Sequence, residues 1–205
     1  MKIIIKTRDR PNYLKALLKE LKGIDYLIID DGSTNKDMKD FLKGKNVIYK
    51  GGERGSNHTN EFALNLCKKE SKWIILDDDV LINSVAVKKI GFILDLYDHV
   101  YVENPAKKDW PYGFLLGGTS ELLEKIGTFD LDSYGPYGFA HIHFTWKAKL
   151  FAKAFGINMH EYRIIMQKGY GSANQKIKKK FNVNRSEFPD PIALARDYVP
   201  PLTKE

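Results

Sequence analysis

The apolar positions fall into short blocks separated by polar turns. KIIIK (Lys2–Lys6) is a continuous apolar run of strand length, consistent with a buried strand. After Pro11, Leu14, Leu17, Leu18 and Leu21 recur at the i, i+3, i+4, i+7 spacing of an amphipathic helix that Gly23 stops. YLIID (Tyr26–Asp30) reads as a second strand, DDGSTNKD as a turn and MKDFLK as a short helix. NVIYK (Asn46–Lys50) gives a third strand, followed by the loop GGERGSNHT. Residues 60–70 predict a helix that buries Phe62, Ala63, Leu66 and Cys67, and WIIL is the fourth strand. Residues 84–97 place Ala86, Ile90, Ile93, Leu94 and Tyr97 on one helical face. Beyond them, HVYVE (His99–Glu103) and FLLGG (Phe114–Gly118) read as strands and SELLEKIG as a short helix. TFDLDSYGPYGFAHIHF is rich in glycine and aromatics and predicts a structured loop. WKAKLFAKAFG predicts a helix with Ala148, Phe151, Ala152 and Phe155 inward, and YRIIM a final strand.

Strand and helix alternate over the first ~100 residues, which implies a parallel sheet with helices on both faces. Ligands of such sheets sit outside the carboxyl ends of the strands. The polar clusters lie at those ends: Thr7–Pro11, Asp30–Ser33, Glu53–His58 and Asp77–Asp79. Their convergence on one edge is the strongest purely physical argument for a site.

Composition adds limits. With 205 residues, 43% hydrophobic and 29% charged, the chain suits one soluble globular domain with or without a tail. No stretch reaches the ~18 apolar residues of a spanning helix, and the start lacks a signal-peptide pattern, so the expected location is the cytosol. A single cysteine, Cys67, excludes an internal disulfide and any cysteine-based zinc cluster. The net charge of +7 falls wholly in residues 141–205, around KIKKK (Lys176–Lys180), while residues 1–140 balance. A solvated face is the ordinary meaning of such a run; an anionic partner is the alternative.

WIILDDDV (Trp73–Val80) drives a buried strand into three aspartates. Clustered carboxylates repel unless they fan into water or hold a cation. Residues two apart on an extended chain point the same way, so Asp77 and Asp79 form a pair and Asp78 faces opposite. A pair of that kind, with substrate phosphates, suits Mn2+ or Mg2+. The structural alternative is a solvated turn. Asp30 and Asp31, before Gly32-Ser33, offer either turn chemistry or a hydrogen bond to a nucleoside.

Together, IIIKTRDRPNYLKALLKEL, YLIIDDGSTNKD, NHTNEFALNL and WIILDDDV resemble the nucleotide-sugar half of a family-2-like glycosyltransferase with the GT-A fold. The GG and IGTFDLD stretches within Gly117–Asp132 are similar to the acceptor-side segment of that family. The resemblance covers about two thirds of the chain. It implies an α/β fold, a mixed, mainly parallel sheet flanked by helices. Residues 1–168 would be one GT-A-like domain (1–100 the nucleotide-sugar half, 101–168 the acceptor half) and 169–205 a basic tail. It also implies roles: Thr7, Arg10, Asp30 and Asp31 at the nucleoside, Arg54 and Asn60 at the nucleotide or sugar, Asp77 and Asp78 at the donor, and Asp77 with Asp79 on Mn2+ or Mg2+. The donor would be a nucleotide-diphosphate sugar. The acceptor would be a glycan, protein or lipid hydroxyl; the basic tail could touch a membrane-bound acceptor, and nucleic acid is not expected.

Where the family carries an acidic pair as general base, this chain has Ala140 and His141. His141, Asp132 or Asp130 could take that role, or the enzyme could retain configuration without a base. His143 is a further metal or phosphate candidate. Gln167 stands where some relatives place a metal-binding histidine, and Lys168 with the KIKKK run could screen the diphosphate. Two other readings are a sugar nucleotidyltransferase, against which the glycine-free TRDRP counts, and a non-catalytic nucleotide- or nucleic-acid-binding domain with a degenerate site.

Overall fold

The first six elements alternate strand and helix: β1 (Lys2–Thr7), α1 (Pro11–Glu20), β2 (Leu27–Asp30), α2 (Lys36–Leu42), β3 (Val47–Tyr49) and α3 (Ser56–Cys67). This is a computed structural model, and it describes residues 1–53, 55–167 and 185–200. Arg54, Lys168 and the Lys176–Lys180 run lie outside the described residues. The chain continues through β4 (Lys72–Asp77), β5 (Val80–Leu81), α4 (Ser84–Ile93), β6 (His99–Val102) and β7 (Tyr112–Thr119). Then come α5 (Ser120–Ile126), α6 (Leu131–Tyr134), α7 (Ala140–Phe151), β8 (Ala154–Ile157), β9 (Ile165–Met166) and α8 (Pro191–Arg196).

Seven strands form one sheet in the order β3-β2-β1-β4-β7-β6-β8. β1, β2, β3 and β4 are mutually parallel, while β7 runs antiparallel to both β4 and β6. The sheet is therefore mixed and mainly parallel, flanked by helices. β5 pairs antiparallel with β9 in a separate ribbon beside the end of β4.

The central strands are buried on both faces, and alternation assigns each residue to one of them. Ile3, Ile5, Ile74 and Leu76 join Leu14, Leu17, Val87 and Ile90 under α1 and α4. Ile4, Trp73 and Ile75 join Leu64, Leu122 and Phe144 under α3, α5 and α7. Pro11 sits in the first turn of α1, where its missing N–H costs nothing. Asn35 and Asn83 cap α2 and α4 through their side-chain oxygens.

Two stretches depart from the sequence expectation. The aromatic, glycine-rich segment becomes helical from Ala140, well before WKAKLF. α7 buries Ala140, Ile142, His143, Phe144, Thr145, Lys147 and Ala148, so it is enclosed around most of its circumference, polar residues included, and shows no single 3.6-residue stripe. At its other end the helix stops at Phe151, and Phe155 lies on β8 rather than in the helix. Parallel pairing of β8 with β6, aided by Lys153 N donating to Asp98 Oδ2 (2.8 Å), overrides the helical preference of that alanine- and lysine-rich run. Within the expected tail, residues 185–200 pack on the domain: α8 lies on α7, and Phe188, Leu194 and Tyr198 pack on the α3–α7 face of the core.

Candidate active site

Parallel strands β1, β2 and β4 end at one edge, above which a cleft of about 690 Å³ opens. Its near wall carries Lys6, Thr7, Arg10, Asp31, Asp77 and Asp79, with Asn60 from α3. Its far wall comes from the second half of the chain: Trp110, Tyr112 and Gly113 before and on β7, and Tyr137, Phe139 and His141 around the start of α7.

The three aspartates are sorted by the turn that follows β4. Asp77 and Asp79 both line the cleft, whereas Asp78 is fully buried beneath it. Asp78 accepts a hydrogen bond from Thr7 Oγ1 (2.5 Å) and pairs with Arg10. Burial pushes its carboxyl up to about 7, against the pull of Arg10 and Thr7. Arg10 Nη1 also holds Asp79 Oδ2 at 2.6 Å, and Lys6 Nζ holds Asp77 Oδ1 at 2.6 Å. Burial, then the neighbouring Asp77, raise the Asp79 carboxyl, and Arg10 opposes them. The turn is fixed from outside by Gln167, whose Nε2 donates to the carbonyls of Asp78 (3.0 Å) and Tyr13 (3.1 Å). The side chain in the position of the late histidine is thus a backbone brace. Asp79 Oδ1 and Asn60 Oδ1 are buried with no hydrogen-bond partner among the described residues.

Asp30 and Asp31 diverge in the same manner. Asp30 is buried and accepts from the Ser33 hydroxyl at 2.5 Å, closing the turn. Asp31 faces the cleft, accepting from Gly55 N (3.3 Å), with Lys50 Nζ at 3.5 Å and Arg8 Nη1 at 4.0 Å. Asp9, at φ 54°, ties the two loops together: its Oδ1 accepts from Thr34 N (2.6 Å) and Asn35 N (2.7 Å).

The base candidates separate as well. His141 lines the cleft, its ring packed against Gly113, where a Cβ would come within 2.7 Å of the His141 Cγ. His143 is two residues on, which on a helix turns it about 200° away. It is buried beside Tyr134, ring centroids 5.5 Å apart, and burial, then Lys147, press its pKa down to about 4. Asp130 caps α6 through Ser133 N (2.9 Å), and Asp132 is exposed on α6; neither lines the cleft. The structure thus brings together Thr7, Arg10, Asp31, Asn60, Asp77, Asp79 and His141. It leaves Asp30, Asp78, Asp130, Asp132 and His143 outside. Sequence reasoning missed Lys6 and the Trp110–Tyr112 wall. Lys6 looked like the polar end of an apolar strand, and β7 begins two residues before the run that marked it.

No protein-family model matches the chain, and no curated protein matches it in sequence. Solved structures do resemble it. A fragment of S. aureus TarS is 17% identical with a TM-score of 0.58, over 76% of this chain and 57% of that one. The same fragment in complex with UDP-GlcNAc gives 16% identity and a TM-score of 0.55, over 76% and 55%. A candidate nucleotide-diphospho-sugar transferase from Desulfovibrio desulfuricans gives 12% identity and a TM-score of 0.52, over 77% and 79%. The fold is GT-A. In this GT-A sheet the cleft sits at the carboxyl edge, and the chain spans a little over half of the TarS fragment. Among the described residues, no three His, Cys, Asp or Glu side chains gather as a metal-ligating set, and no helix is long and apolar enough to cross a membrane.

Proposed function

We propose that the protein is a glycosyltransferase that moves a sugar from a nucleoside-diphosphate donor to an acceptor hydroxyl. The observation that carries this reading is the carboxylate pair Asp77 and Asp79, facing the same cleft as Asp31 at the carboxyl edge of a GT-A sheet. Asp31 and Thr7 would meet the nucleoside, and Arg10 and Asn60 the diphosphate and sugar. The TarS complex holds UDP-GlcNAc, which makes a uridine-diphosphate sugar the first donor to try.

Leaving-group charge is the chemical problem such a site must solve, because bond cleavage concentrates negative charge on the diphosphate. A Mn2+ or Mg2+ ion suits the donor set: Asp79 Oδ1 is a buried acceptor with no hydrogen-bond partner among the described residues, and Asp77 lines the same cleft. Those two residues would hold the ion, and two carboxylates plus phosphate oxygens suit a hard cation. Bound there, it would supply charge stabilisation to the departing diphosphate.

On the far wall, His141 is the one residue of the three base candidates in the cleft. A histidine is suited to accept a proton from an attacking hydroxyl near neutral pH, which gives an inverting displacement. Trp110 and Tyr112 flank the space an acceptor would enter.

Calorimetric titration of UDP, GDP and their sugars, with and without Mn2+, tests this reading. Metal-dependent binding, weakened at least about 100-fold in the Asp77→Asn/Asp79→Asn double variant, is the expected result. A folded protein that binds none of these compounds would overturn it.

A further inference from the structure

The carboxylates of the cleft already have cations of their own. Lys6 and Asp77 are register partners on the adjacent parallel strands β1 and β4, so their side chains leave the sheet on the same face. Lys6 Nζ lies 2.6 Å from Asp77 Oδ1, and the Lys6 side chain is only 7% exposed. Lysine is rarely drawn that far out of water unless a close opposite charge offsets the loss of hydration. Arg10 serves Asp78 and Asp79 together. Three carboxylates thus face two basic side chains, and Asp79 Oδ1 is left buried with no hydrogen-bond partner among the described residues.

Counted as ions, these three carboxylates and two cations carry one net negative charge. A divalent ion alone would overshoot, and it would sit beside the Lys6 ammonium. A nucleoside diphosphate arriving with the ion brings at least two negative charges, which offset the ion's own. We infer that Lys6 is a resident counter-ion for Asp77, which keeps the carboxylate pair from taking up a divalent metal until a nucleoside diphosphate enters with it. The inference rests on the donor-site reading and adds its order of assembly. By linkage, metal and nucleotide must raise each other's affinity by the same factor. Lys6 is the residue that makes the metal-alone state unfavourable.

The test is Mn2+ binding without any nucleotide, read from free Mn2+ by electron paramagnetic resonance. It is run on the wild type, Lys6→Met, Lys6→Gln and Lys6→Arg, with melting curves on each. A unit charge and a double charge ~4 Å apart repel by more than a tenfold change in affinity represents, even at a surface-like dielectric. Lys6→Met and Lys6→Gln are therefore expected to bind Mn2+ alone at least about tenfold more tightly than the wild type, and Lys6→Arg to match the wild type. Saturating UDP should raise Mn2+ affinity strongly in the wild type and much less in Lys6→Met. If Lys6→Met and Lys6→Gln fold but take up Mn2+ no better than the wild type, while UDP with Mn2+ still binds and is lost in Asp79→Asn, the inference falls and the donor site stands. If no form binds UDP with Mn2+, the donor-site reading falls and takes the inference with it.

Discussion

His141 and His143 show how much a single residue's fate depends on local backbone. In an extended loop, residues two apart share a side; on α7 they part, one to the cleft and one to the interior. Burial holds His143 near a pKa of about 4, and complete burial does the same to His99, whose Nδ1 donates to Gly117 O. An unfolded chain protonates both near 6.5. Between pH 6.5 and 4 the unfolded state therefore binds protons that the folded state refuses, and stability is lost as pH falls through that window. His143→Phe should remove about half of this slope in melting temperature against pH. An unchanged slope would mean that His143 titrates normally. Gly113 offers a second check. A methyl there presses on the His141 ring, so Gly113→Ala should lower turnover at least about tenfold while leaving the melting curve near wild type. Equal turnover would remove His141 from the reaction. The pairing of Asp77 with Asp79, with Asp78 facing away from them, could be read from the two-residue alternation; the burial of Asp30 and Asp78 could not. Thr7 and Arg10, which hold Asp78 in the interior, come from a distant part of the chain, and Ser33 holds Asp30 through a turn three residues on whose hydroxyl direction the sequence does not show.

At the scale of elements, the sheet was legible wherever local pattern and tertiary pairing agree. β1, β2 and β4 are apolar runs that end in polar or turn residues, and α1, which follows β1, carries a clear leucine stripe. α7 and β8 were not legible. One is a helix buried around most of its circumference, with His143, Thr145 and Lys147 among its buried residues, and the other is a short strand defined by its neighbour β6. Lys147 survives inside because its Nζ donates to Ile126 O at 2.6 Å, and burial lowers its pKa to about 8. β7 depends on a close approach at Gly118, where an added methyl would overlap the Trp73 ring. Gly118→Ala should cost about 1–3 kcal/mol in urea unfolding. Asn83 caps α4 by accepting from Ala86 N at 2.9 Å, and Asn83→Ala should cost about 1 kcal/mol. A loss near zero at Gly118 would show that Trp73 can move aside.

Across the whole molecule, the two walls of the cleft come from different halves of the chain, and the C-terminal segment braces the second. Phe188 packs edge-on against Phe139, ring centroids 6.1 Å apart, and near Tyr134 at 6.5 Å. Tyr198 meets Phe151 at 5.7 Å, and Lys147 lies over its ring. Phe188→Ala should destabilise the protein by about 1–3 kcal/mol and loosen the acceptor-side wall. Calorimetric unfolding with an unchanged transition would mark residues 185–200 as dispensable. β7 has a further consequence, felt while the chain is being made. β4 is complete at Asp77, but the strand that covers its open side begins only at Tyr112, about 35 residues later. At typical synthesis rates, that leaves the apolar edge of Trp73–Leu76 waiting ~2–7 s on the ribosome. An uncovered strand edge templates pairing with other chains. Slowing translation between codons 78 and 112 should therefore raise the insoluble fraction of newly made protein, and a chaperone that shields nascent strands should lower it.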